Sequence, residues 1–222
     1  MTTTEIAWFP LKAGSNIGDP DSEAASVLKS TFDTLRQQDG LQQVQFGTWV
    51  ENPSNFQLFV NWDSKKHHEA FIASSTYRPF FKRFGALVDD SSPGSGIFHV
   101  DFDAPAALAK VFSAPVTEVA TFYFEGAPPA DYVQQAKKLA TVLEENKVDG
   151  YLGATLGTSY EEIEREGVKG KVGVLVVGWQ SVEAHLAFRE THMFKDNIHL
   201  VRSDAKKIEM HHVQFMQAQA DA

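Results

Sequence analysis

The chain contains no cysteine, so disulfides, thiolate metal sites, iron–sulfur clusters and a cysteine nucleophile are all excluded. It has no apolar run approaching the ~18 residues of a membrane-spanning helix. Residues 1–6 are polar, and Trp8-Phe9-Pro10 is too short for the core of a signal peptide. The expected address is cytoplasmic, with no membrane partner. Basic side chains are outnumbered, 20 Lys and Arg against 29 Asp and Glu, and a net charge of −9 repels phosphate backbones, so nucleic acid is not an expected partner. No Gly-Lys-Ser loop is present to cradle phosphates, and Gly150, Gly153 and Gly157 have the wrong spacing for dinucleotide binding. What remains is an apolar, aromatic-rich chain. Of 222 residues, 43% are hydrophobic and 12% aromatic, which is ample for a packed core.

The chain repeats itself. Trp62-Asp63-Ser64, His68 and Ala70-Phe71 recur as Trp179-Gln180-Ser181, His185 and Ala187-Phe188, displaced by 117 positions as from Trp62 to Trp179, and Tyr77 and Phe194 keep that offset. Asp39-Gly40, Gly47-Thr48 and Glu51 recur as Asp149-Gly150, Gly157-Thr158 and Glu161, displaced by 110 as from Asp39 to Asp149. His99-Val100-Asp101-Phe102 recurs as His212-Val213-Gln214-Phe215, displaced by 113 as from His99 to His212. The jump from 110 to 117 places seven extra residues in the second copy, and the charged stretch 161–171, with Gly167 and Gly170, supplies them as a longer hairpin. The first repeat is assigned to residues 1–103, a linker with a short helix to 104–115, and the second repeat with its tail to 116–222; the tail from Met216 on is expected to fray.

Each copy reads as strand, helix, hairpin, helix, strand. Strands at 5–11 and 117–124 are rich in aromatic and β-branched residues. Asp21-Ser22 caps a helix with Ala24, Val27, Leu28, Thr31, Phe32 and Leu35 on one face, and Pro128-Pro129 opens one with Tyr132, Ala136, Leu139 and Leu143 aligned. Asn52-Pro53-Ser54 turns the first hairpin, and Ser64 or Ser181 caps the second helix. The order βαββαβ is ferredoxin-like, with helices on one sheet face. The fold class is therefore α+β, two fused ferredoxin-like repeats whose remaining sheet faces bury one another as an intramolecular dimeric α/β barrel.

These residues resemble the dimeric α/β-barrel superfamily of the antibiotic-biosynthesis-monooxygenase type, in tandem. The resemblance rests on Trp179-Gln180-Ser181-Val182-Glu183-Ala184, Phe188 and Thr191-His192-Met193-Phe194; the first copy keeps Trp62-Asp63-Ser64 but has Ser75 in place of His192. It implies one of several activities: a cofactor-free oxygenase of phenolic polyketides, a polyketide cyclase, a hydroxynitrile lyase, a haem-degrading enzyme, or no reaction at all. Fold alone does not choose among them.

Eight histidines are the main acid–base resource near neutral pH. His185, His192 and His199 would share a face if one helix ran through them, but seven residues rise ~10 Å, too far to share a metal ion. His68 with His185, and His99 with His212, occur in both copies and are read as structural. His192 and His211 occur in one copy only, opposite Ser75 and Phe98. Strand alternation puts His211, Val213 and Phe215 on one face, where Phe98, Val100 and Phe102 lie in the first copy. His192 and His211 are thus the candidate catalytic pair, one as general base and the other orienting substrate or donating to an oxyanion. Trp179, Tyr123, Tyr151 and His185 are candidate substrate-binding residues. The matching space in the first copy is expected to be stoppered by Phe98 with Tyr77, Phe80, Phe81 and Phe84.

The function expected is a cofactor-independent, monooxygenase-like enzyme that deprotonates a small apolar aromatic or polyketide-like substrate. A cyclase or lyase on the same fold is one alternative, and a non-catalytic ligand-binding or stress-associated protein is the other. No cofactor or metal is expected, haem on His192 or His185 being the minor variant. The pseudo-dimer is a candidate to pair again as a homodimer.

Overall fold

The computed structural model describes residues 2–91, 94–202 and 204–218. The chain divides into two compact units: unit 1 is residues 1–97 with 216–222, and unit 2 is residues 98–215.

In unit 1, β1 (Thr3–Pro10), α1 (Glu23–Arg36), β2 (Leu41–Thr48), β3 (Asn55–Trp62), α2 (Lys65–Ala73) and α3 (Tyr77–Phe84) follow the expected order. Ser22 caps α1 as its sequence dictates, its hydroxyl accepting from the Ala25 N–H at 3.0 Å. The helix then lays Ala24, Leu28, Phe32 and Leu35 on Leu58, Val60 and Trp62 of the sheet. Asn52 turns the β2–β3 hairpin, its carbonyl accepting the Asn55 N–H at 2.9 Å. Ser64 departs from expectation: its hydroxyl caps no backbone N–H and faces the His67 Nδ1 at 3.0 Å instead.

The last strand of the first repeat, β4 (Gly96–Phe102), belongs to unit 2 from Phe98 onward. Unit 2 continues through α4 (Pro105–Phe112), β5 (Val116–Tyr123), α5 (Tyr132–Glu145), β6 (Tyr151–Ser159), β7 (Ile163–Arg165), β8 (Val168–Gly170), β9 (Val172–Trp179), α6 (Val182–Glu190), α7 (His192–Asn197), α8 (His199–Arg202) and β10 (Lys207–Val213). Its strand order is β10-β5-β9-β6-β4, with β4 antiparallel to β6 through Val100↔Ser159 and Phe102↔Gly157. The extra residues form the hairpin β7–β8, whose turn uses the left-handed backbone of Glu166 and Gly167 (φ 51° and 84°).

One conditional reading and one expectation fail locally. The helix carrying His185 does not run on to His192, because Thr191 is extended (φ −72°, ψ 153°) and its hydroxyl accepts from the Phe194 N–H at 3.1 Å, starting α7 afresh. The tail does not fray at Met216 either. β11 (Met216–Gln217) pairs with Phe46 and Gln45 of β2, and the Ala218 N–H reaches the Val44 carbonyl at 3.0 Å, completing the order β11-β2-β3-β1 in unit 1. The remainder of that expectation, residues 219–222, lies outside the described residues.

Candidate functional site

The two histidines singled out as catalytic are not brought together. His192 opens α7 and is exposed. His211 is buried on β10, but its neighbour His212 points to the helices, where its Nε2 meets the His185 Nδ1 at 2.8 Å, so alternation turns His211 to the opposite sheet face. Tyr123 lies on that opposite face too, its buried hydroxyl donating to Glu209 at 2.8 Å; burial, and then the Glu209 charge, push this phenol up. The other three candidates do meet. The Tyr151 ring stands edge-on to Trp179 at 5.9 Å, and its hydroxyl is pushed up to about 12 by burial and then by the Glu144 charge. Trp179 stacks on His185 with centroids 5.0 Å apart.

The residue that organises this cluster was not anticipated. It is Glu118, on β5, whose Oε2 accepts from the Trp179 indole N–H at 2.9 Å and lies 3.3 Å from the His185 Nε2. Burial pushes the Glu118 carboxyl up, against the lowering effect of the Trp179 bond and of the His212 and Arg189 charges. Unit 1 holds the same arrangement. Glu5 on β1 accepts from the Trp62 indole N–H at 3.0 Å and lies 3.4 Å from the His68 Nδ1, with Trp62 and His68 stacked at 5.3 Å and nearly parallel. A sequence signal for both carboxylates existed: Thr4-Glu5 recurs as Thr117-Glu118 at the same displacement of 113 that relates the closing strands. A carboxylate, an indole and an imidazole, buried together in each copy, satisfy one another's hydrogen-bonding needs as burial demands.

The copies differ in what lies beside the cluster. In unit 1 a cavity of about 50 Å³ sits between sheet and helices, bordered by Glu5, His68 and Tyr77 and otherwise by apolar side chains including Phe71, Phe80, Phe81, Phe84 and Ile97. The aromatic cluster expected to plug this space therefore forms its wall. Phe71, Tyr77, Phe80 and Phe81 pack on each other at 5.0–5.9 Å, so the rings satisfy one another and prop α3 off the sheet. Phe98, the other expected plug, is buried in unit 2 and lines no part of the cavity. In unit 2 the positions matching Tyr77, Phe81 and Phe84 are Phe194, Ile198 and Val201, and these pack with Phe188, Met193 and Met210 into the core around Trp179. The apolar cavity described beside a Glu–Trp–His cluster thus lies in the first copy, where a plug was expected.

No family model matches the chain, and no curated protein matches it by sequence. Solved structures do. An anthrone oxidase-like protein superposes with a TM-score of 0.63 at 14% identity, over 99% of this chain and 94% of that one. Candidate monooxygenases from Fusobacterium nucleatum subsp. nucleatum and Lactobacillus acidophilus follow, with TM-scores of 0.56 and 0.54 at 13% and 11% identity, covering 96% and 98% of this chain and 92% and 94% of theirs. The chain shares their fold, which is built here from two fused ferredoxin-like repeats. In this chain the two copies share the Glu–Trp–His cluster and differ around it. His185 has both ring nitrogens engaged, by Glu118 and His212, so it is not set to ligate haem. Among the described residues no three His, Asp or Glu side chains are arranged to hold a metal ion, and no helix is long and apolar enough to cross a membrane.

Proposed function

We propose that the chain is a cofactor-independent, monooxygenase-like enzyme whose reaction takes place in the unit 1 cavity, with Glu5 and His68 as its acid–base pair. One observation carries this reading: a buried carboxylate and a buried imidazole, 3.4 Å apart, border the same apolar cavity. The carboxylate beside Nδ1 orients the ring and offers an imidazolium a counter-charge, so the pair can accept a proton from a weakly acidic substrate. Apolar walls leave the resulting carbanion electron-rich and exclude water. In a reaction of the anthrone oxidase type, suggested by the similarity to an anthrone oxidase-like protein, the methylene carbon gives up its two hydrogens. One atom of dioxygen becomes its carbonyl oxygen and the other leaves as water. The substrate supplies all the electrons, so no further reductant is needed.

An aromatic substrate exceeds 50 Å³, so α3 must move outward to admit it. The helix is built for that: its N-terminal end has no side-chain cap, while Arg83 near its other end donates to the Ser30 carbonyl and hydroxyl and to Thr34 on α1. The same narrowness favours a second reading, ligand binding without turnover.

Dioxygen uptake with anthrone in buffer without added cofactor tests the proposal. The wild type should consume one dioxygen per anthrone, Glu5→Gln and His68→Phe should each slow it by roughly 10²-fold or more, and His192→Phe should leave it within about twofold. Binding of anthrone without uptake would favour the second reading, and full activity in both site variants would remove the pair from the mechanism.

A further inference from the structure

The cavity has few polar side chains, and their hydrogen-bonding capacity is unevenly committed. Thr31 spends its hydroxyl hydrogen on the Val27 carbonyl at 2.7 Å. Glu5 and His68 are turned to each other and to Trp62. Tyr77 differs. It is held by ring contacts with Phe71, Phe80 and Phe81, yet its hydroxyl has no hydrogen-bond partner among the described residues. Its counterpart at the 117-residue displacement is Phe194, which has no hydroxyl and sits in the filled core of unit 2. A phenol therefore borders the unit 1 cavity, and a plain phenyl stands at the matching position among the core side chains of unit 2.

We infer that Tyr77 is a ligand-binding residue whose hydroxyl donates to an oxygen acceptor, so that the cavity selects apolar molecules bearing a carbonyl or similar oxygen over their hydrocarbon equivalents. This rests on the cavity being the binding site proposed above. Burial, and secondarily the nearby negative charge of Glu5, push the Tyr77 hydroxyl above the ordinary phenol range, which keeps it a protonated donor at neutral pH. A donor with no protein acceptor, set among otherwise apolar walls, favours a ligand that offers an acceptor over one that does not.

The test compares acetophenone, which carries a carbonyl acceptor, with ethylbenzene, its hydrocarbon counterpart, by calorimetric titration of the full chain. The wild type should bind acetophenone about tenfold more tightly, and the carbonyl stretch of bound acetophenone should move to lower frequency. Tyr77→Phe should erase the preference and the infrared shift while leaving ethylbenzene affinity within about twofold, an outcome that a purely structural role for the ring would not produce. A preference and shift retained in Tyr77→Phe would overturn the assignment and leave the cavity reading intact. Failure of both probes to bind the wild type would overturn the two together.

Discussion

In unit 1 the Glu5 carboxylate and the His68 ring border open space, whereas in unit 2 the matching Glu118 and His185 are closed in by Phe194, Ile198 and Val201 and joined by His212. The clusters are chemically alike, with near-equal indole to carboxylate distances of 3.0 and 2.9 Å. The difference therefore lies in the space beside the cluster, not in the acid–base groups. In both units the cluster is a paired piece of core, and in unit 1 it also borders room for a guest. Paired polar groups buried in a core resist replacement, while the same groups beside a cavity can be rehydrated when a partner is removed.

That contrast can be broken most directly by removing each histidine in turn. His185→Ala strands both Glu118 and His212 in the core and should cost about 3 kcal/mol of stability, whereas His68→Ala lets water reach Glu5 through the cavity and should cost about 1 kcal/mol. Urea denaturation of the two variants reads the difference, and equal losses would show that the clusters are energetically equivalent. At the turns before the hairpins the units should instead behave alike. Gly40 and Gly150 share a left-handed backbone, with φ 74° and 75°. A Cβ at position 150 would lie 2.5 Å from the Ala184 methyl, and one at position 40 would lie 2.3 and 2.8 Å from Cγ and Cβ of His67, the near end of that side chain. Gly150→Ala and Gly40→Ala should each lower stability by about 2 kcal/mol, as seen in thermal melts, and a mild effect at either would show that its neighbour yields. The smallest effect concerns Glu161, present in unit 2 on the inserted hairpin. Burial alone would raise its carboxyl, but bonds from the His99 ring and backbone N–H hold it down at about 2. A carboxyl lowered in the folded state stabilises it when ionised, so the advantage of wild type over Glu161→Gln should be full near neutral pH and fade between about pH 4.5 and 2. An advantage unchanged down to pH 2 would show that the carboxylate charge contributes nothing.

The fold was legible because hydrophobic period, caps and repetition all agree. Ser22, the Asp-Gly stops and the 117-residue echo of Trp62 each point to one architecture. The site was less so. Reading β10 by its apolar side placed His211 with Val213 on the presumed helix face, but His211, His212 and Val213 are all buried, so apolarity does not distinguish the two faces of that strand. Glu5 and Glu118 were passed over because a glutamate within a strand normally marks a solvated face. Which copy is hollow depends on how Phe80, Phe81 and Phe84 pack relative to Asn197, Ile198 and Val201, a matter of shape that residue type alone does not convey.

The strand exchange seen in the sheets has an evolutionary side. The close of the first repeat, Phe98–Phe102, is built into unit 2, and the end of the chain, Met216–Gln217, is built into unit 1. Once such crossing was established, losing either gene copy would have left the survivor with an unmatched strand edge. The duplication was thus ratcheted in place, because each unit completes its sheet with a strand drawn from the other repeat.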